Sequence, residues 1–191
     1  MAVEVEEKPL PSWGKAVLTL NVLLALSCWL MVAYFYPRLP DVVPTHFDWE
    51  GKPTSWGPKS HLFLVIPAVA TGVVSSTSLL VLLRFKIIKR YPYLISIPAL
   101  SLALGSPRVP PDVRGSIINR AISFTLVPIS LVAALMTFLT FELLRSALEA
   151  SWRPIRGLAV VASVLALAAA TIASSFVYYR MLYLEVRRYA T

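Results

Sequence analysis

The chain has 191 residues, 57% of them hydrophobic and 15% charged, with a mean hydropathy of +0.70. Soluble domains carry about a quarter charged residues, so this composition excludes an ordinary soluble protein and points to one integral membrane domain. The formal net charge of +8 does not imply nucleic acid, because Lys and Arg gather at the ends of apolar runs and no nucleic-acid-binding motif accompanies them. Cys28 is the only cysteine, so no intrachain disulfide can form. Gln is absent, Asn is confined to Asn21 and Asn119, and Pro reaches 15, a pattern compatible with a heat-adapted source.

In chain order, residues 1–15 are polar and acidic, the wrong flank for a secretory signal peptide, and are read as a cytoplasmic segment. A first span is predicted over 16–36, long enough to cross about 30 Å of hydrocarbon. Trp29, Tyr34 and Tyr36 lie toward its far end, where interfacial aromatics belong. A proline-rich loop occupies 37–60. A second span follows over 61–83, with Pro67 and a hydroxyl patch at Ser75, Ser76, Thr77 and Ser78. Residues 84–118 are basic, and their apolar run at 91–104 is too short to span, so an interfacial or re-entrant segment is expected. A third span is predicted over 121–141, and a fourth over 158–179 with small residues such as Ala166 and Ala170. Pro67 and Pro128 are expected to kink their helices. No acid or base sits mid-span, so nothing forms a proton relay.

Four spans leave the N-terminus, 84–120 and the tail on one side with twelve Lys and Arg, against six on the other. By the excess of basic residues on the cytoplasmic side, both termini are expected to be cytoplasmic and the 37–60 loop extracytoplasmic. The expected fold is therefore an all-α integral membrane protein, a single four-helix domain over 16–191 with a structured loop between its first two helices.

That loop is unlike the rest of the chain. Pro40, Pro44, Pro53 and Pro58 are expected to deny it helix and central strand, while Gly51 and Gly57 permit turns at positive φ. It holds His46, one of two histidines, with His61 just beyond, and the carboxylates Asp41, Asp48 and Glu50. A plain linker needs none of these residue types.

From Leu39 to Lys59 the pattern Leu-Pro-x-x-Val-Pro-x-His-Phe-x-x-x-Gly-x-Pro-x-x-Trp-Gly-x-Lys resembles the amino-terminal domain of the SdpI-like family, domain of unknown function 1648. In that family the motif also sits between the first two transmembrane helices. The resemblance covers roughly residues 18–70, and the run from Lys89 to Pro98 is similar to a segment in some members. The family includes a toxin-immunity protein that also sequesters a repressor, with a longer chain and more spans. The resemblance implies a membrane sensor or immunity-like protein and brings no catalytic residues with it.

His46, Asp48 and Glu50 alternate, so in an extended strand all three would share one face, and His61 could complete a divalent-metal set. The plainer reading, which is the stronger, has His46 bonding backbone groups and Asp48 and Glu50 capping turns. Neither His-Glu-x-x-His nor a cysteine pair is present to strengthen the metal reading. Trp49 and Trp56 could stack on a ligand, but interfacial anchoring is the commoner use. A hydroxyl such as Thr45 or Ser60 near His46, with Asp48 or Asp41, would make a triad, yet no elbow or oxyanion signal supports it.

The leading expectation is a non-enzymatic sensor or immunity-like protein that binds a peptide or small molecule through His46, Phe47, Trp49, Gly51 and Trp56. Segment 84–118 would serve a cytoplasmic protein partner. The alternatives are a metal-dependent membrane hydrolase at His46, Asp48, Glu50 and His61, and a small transporter, which would need to be a homo-oligomer.

Overall fold

The computed structural model describes residues 4–48, 50–59, 61–91, 97–150 and 154–190, leaving aside the side chains of 61, 62, 154–161 and 190. In chain order these form α1 (Ser12–Phe35), a 3-10 turn (Tyr36–Arg38), β1 (Val42–Phe47), β2 (Pro53–Pro58), a second 3-10 turn (His61–Leu64), α2 (Val65–Leu82), α3 (Arg84–Arg90), α4 (Pro98–Gly105), α5 (Pro111–Phe124), α6 (Leu126–Glu149) and α7 (Pro154–Ala190). Among the described residues four segments are long and apolar enough to cross a membrane: Ser12–Arg38, Val65–Leu82, Pro111–Glu149 and Ala162–Tyr189. Such an array marks a multi-pass membrane protein.

The prolines explain where helices start and stop. Pro128 cannot donate to the carbonyl of Phe124, and its ring crowds that carbonyl. Accordingly α5 ends at Phe124 and α6 begins at Leu126, with Thr125 donating both its N–H (3.0 Å) and its hydroxyl (2.6 Å) to the Ile122 carbonyl. Pro67 differs from expectation. Residues 61–64 form a 3-10 turn, so α2 starts at Val65 and Pro67 falls in its first turn, where a missing N–H interrupts no helical bond. The loop differs too: the expected all-α fold contains a two-stranded sheet. Segment 84–118 holds three helices, with 92–96 outside the described residues.

The chain divides into two compact units. The first comprises 1–19, 76–128 and 169–191. Its core joins Val5, Phe85, Ile88, Leu100, Ile117, Ile118, Leu182 and Val186. Residues 4–14, part of the segment expected to be a simple cytoplasmic flank, run along α5. Glu6 N–H donates to the Pro111 carbonyl (3.2 Å), and Asn119 Nδ2 donates to the Pro9 carbonyl (2.6 Å). Arg114 reaches the carbonyls of Glu4 (3.2 Å), Ala103 (3.0 Å) and Ser106 (2.7 Å). Arg84, only 6% exposed, donates to Val81 O (2.7 Å), Lys8 O (2.7 Å) and Asn119 Oδ1 (2.9 Å). Its planar fork matches three fixed acceptors, which a lysine could not. Burial lowers the Arg84 pKa from its usual value, and the nearby Glu7 carboxylate opposes that shift. Gly115 permits the close approach, because a Cβ there would lie 1.9 Å from the Glu6 carbonyl oxygen.

The second unit comprises 20–75 and 129–168. Small residues Ala25, Val74 and Ala133 form one cluster. Polar side chains tie its helices together, as expected where water is absent. Trp29 Nε1 donates to Thr71 Oγ1 (2.8 Å), which donates to the Pro67 carbonyl (2.9 Å). Thr137 Oγ1 lies within hydrogen-bonding reach of the Ala133 carbonyl (2.8 Å) and the Leu24 carbonyl (3.1 Å), beside Cys28 Sγ at 3.4 Å. A second cluster of Val32, Leu39, Val43, Phe63, Leu144 and Ala147 seats the hairpin on its helices.

Candidate functional site

An isolated two-stranded hairpin is marginal in water, so the β1–β2 hairpin needs anchors. Leu39 (4% exposed) and Val43 (2%) supply them within the second unit, each burial contributing about 1.5–3 kcal/mol. Lys59 supplies another. Its ammonium donates to the carbonyls of Leu39 (3.2 Å) and Tyr36 (3.4 Å) and lies 4.9 Å from the Tyr36 ring centroid. Lys59 thereby ties the end of β2 to the turn that follows α1.

The strands are antiparallel, pairing Val42 with Pro58, Val43 with Gly57, Pro44 with Trp56, His46 with Ser55 and Phe47 with Pro53. Lys59 N–H donates to Asp41 O (2.7 Å) and Asp48 N–H to Lys52 O (2.9 Å). Hydrogen-bonded and open pairs alternate in such a ladder. The pairs Val42–Pro58, Pro44–Trp56 and Phe47–Pro53 therefore fall at open positions. Each proline lacks only an N–H that would point away from the partner strand. Three prolines can thus occupy this sheet without breaking it, because both its strands are edges, and they also blunt those edges against strand addition.

Glu50 and Gly51 lie in the turn that closes the hairpin. Gly51 N–H donates to Asp48 O (3.0 Å), and Asp48 Oδ1 accepts the Lys52 N–H (2.8 Å). Gly51 carries φ 85, the left-handed conformation that glycine adopts without steric cost. Lys52 pairs with Glu50 at 2.8 Å, an exposed contact worth about 0–1 kcal/mol.

Strand alternation gives the hairpin two faces. On one, irregular pairing around Thr45 and Thr54 gathers three polar side chains. Ser55 Oγ lies 2.6 Å from Thr45 Oγ1 and 2.9 Å from His46 Nδ1. Gly57 belongs to the same face, where a Cβ would lie 3.0 Å from Thr45 Cγ2. The opposite face carries Val42, Pro44, Trp56 and Pro58. Val42 and Trp56 are each 54% exposed.

The strands do not extend far enough for the alternation expected of His46, Asp48 and Glu50. Only His46 is in β1; Asp48 and Glu50 lie beyond it, toward the turn, and face Lys52. Asp48 caps the turn, whereas His46 bonds a hydroxyl rather than the backbone. Among the described residues no group of three or more His, Cys, Asp or Glu could hold a metal ion. Phe47 is half-buried in β1. Trp49 and Ser60 lie outside the described residues, as does the side chain of His61. Ser55 is the hydroxyl beside the imidazole, and sequence reasoning did not pick it out. Its signal was the alternation of Ser55 and Gly57 with Thr54 and Trp56 after the turn glycine. A serine–histidine couple needs a third group to orient the base, and among the described residues no carboxylate contacts this imidazole.

Residues 23–71 match a domain of unknown function, DUF1648. That match takes in the second half of α1, the whole hairpin and the start of α2. An uncharacterised protein of Archaeoglobus fulgidus is 36% identical over 106 residues, covering 56% of this chain and 57% of that relative. The chain thus spans little more than half the length of that relative. No solved structure matches the chain significantly.

Proposed function

We propose that this chain is a membrane sensor or immunity-like protein whose β1–β2 hairpin binds a peptide or small-molecule ligand at the outer membrane surface. The observation that carries this reading is the exposure of Val42 and Trp56 on a hairpin already seated by Leu39 and Val43. Apolar area left in the open on an anchored element is available to a partner. With its edges blunted by proline, the hairpin offers a ligand its faces: Val42 and Trp56 on one side, the Thr45–Ser55–His46 chain on the other. The immunity-like part of the reading draws on the resemblance of the Leu39–Lys59 motif to the SdpI-like family. Orientation follows the basic residues. The first unit contains twelve of the eighteen Lys and Arg, which favours that unit, with both termini, on the cytoplasmic side.

The test uses the full chain in nanodiscs, screened by thermal shift against membrane-active peptides and by elemental analysis of unchelated protein. A binding peptide should raise the midpoint, and Trp56→Ala or His46→Ala should remove the shift while Lys15→Gln preserves it. A peptide shift unaffected by either hairpin variant would take the hairpin out of the mechanism. Stoichiometric metal lost in both His46→Ala and His61→Ala would instead favour the metal-dependent enzyme reading.

A further inference from the structure

The two units differ sharply in charge. The first has twelve Lys and Arg against five Asp and Glu, net +7, while the second has six against five, net +1. Most of the whole chain's +8 therefore belongs to one unit. Its acids do little to neutralise the exposed cations. Glu7 is taken by Lys89 (2.6 Å) and Glu185 by Arg120 (2.6 Å). Glu4 and Glu6 lie beside the start of α5, next to Arg114. Lys86, Arg90, Arg180 and Arg188 are exposed, and none pairs with a carboxylate among the described residues. Arg90 lies over the Tyr91 ring at 5.5 Å.

These cations come from two elements of one core. α3 turns Phe85 and Ile88 inward, and the last turns of α7 turn Leu182 and Val186 into the same cluster. Among the cations, exposed Tyr183 (37%) and Tyr189 (44%) present amphipathic rings. The length of α7 sets their level. Its 37 residues extend about 55 Å, whereas the hydrocarbon core is about 30 Å thick. Counted from Leu158, where the apolar run begins in the sequence, that thickness is filled by about Val177. The turns beyond it then stand among headgroups, with Arg180 at the boundary positioned to snorkel outward.

From this placement we infer that the basic face formed by α3 and the end of α7 is a docking surface for anionic phospholipid headgroups. Tyrosines and unpaired cations at headgroup depth are the chemistry that a layer of lipid phosphates complements. The inference needs only the membrane reading and stands whether or not the hairpin binds a ligand.

The full chain in detergent is titrated with phosphatidylglycerol and, separately, phosphatidylcholine, and bound lipid is counted by native mass spectrometry. Phosphatidylglycerol should bind at least tenfold more tightly, with about a fivefold loss for each cation neutralised in Lys86→Gln, Arg90→Gln, Arg180→Gln and Arg188→Gln. Lys52→Gln, in the hairpin, should change nothing. Raising sodium chloride should weaken the wild-type preference without any substitution, which covers the event that a multiple variant misfolds. Equal binding of the two lipids, or a preference that survives both salt and the variants, would overturn the inference. So would equal competition by glycerol phosphate, which would reassign the face to a free phosphate, or by polyglutamate, which would reassign it to an acidic protein.

Discussion

Ala150 holds φ 49 at the end of α6, the one described non-glycine residue with a positive φ. A side chain in the left-handed region costs about 1–2 kcal/mol, and glycine is the usual residue just past a helix end. Ala150→Gly should relieve that cost and return part of it through a freer unfolded chain. The expected net gain is about 0.5–1 kcal/mol, read as a rise of about 1–4 °C in the thermal midpoint in detergent. A lower midpoint would mean that the methyl group makes a contact worth more than the strain. Gly51 is the converse case. Its φ of 85 lies in the turn of the hairpin, so the residue type matters there for backbone freedom.

At the scale of elements, the N-terminal strap and the hairpin depend on close backbone approach in different ways. The strap lies on α5 because Gly115 has no side chain. Gly115→Ala would put a methyl 1.9 Å from the Glu6 carbonyl oxygen, and backbone on both sides leaves little to yield. Overpacking of this kind costs about 1–3 kcal/mol. Residues 4–9 should come off α5, seen as faster proteolysis near the N-terminus; unchanged proteolysis would show that the strap accommodates the methyl. The strap was not legible in the sequence, since short polar stretches carry no periodicity. Gly115 inside an otherwise helical run was the available sign. Pro128 was legible because its effect on Phe124 is local. Pro67 was misread because the kink argument assumes that the helix has already begun. The hairpin strands were missed for a related reason: proline excludes a central strand, and a two-stranded sheet has none.

For the molecule as a whole, four spans were readable from apolar length alone, with ends displaced by a few residues or, for the third and fourth, by up to about a dozen. The structure adds that the partition of basic residues coincides with the partition into compact units. It adds too that the proline-rich motif is an anchored hairpin that leaves Val42 and Trp56 exposed. Both features depend on contacts between residues distant in sequence, which hydropathy cannot register. The shared face that the alternative metal reading gave His46, Asp48 and Glu50, with His61 to complete the set, depended on an extended conformation that ends at Phe47.

The central claim is that the Val42–Trp56 face is presented to a ligand from water and is not an anchor sunk in lipid. A nitroxide at Trp56→Cys, in a background with Cys28→Ala, measures this directly by its collision rate with a water-soluble nickel chelate and with oxygen in bilayers. Leu165→Cys, at a site 65% exposed on α7, gives the lipid-facing reference. The Trp56 label should collide chiefly with the chelate, and the Leu165 label chiefly with oxygen. A Trp56 label that behaved like the one at Leu165 would make that face a membrane anchor and contradict the account.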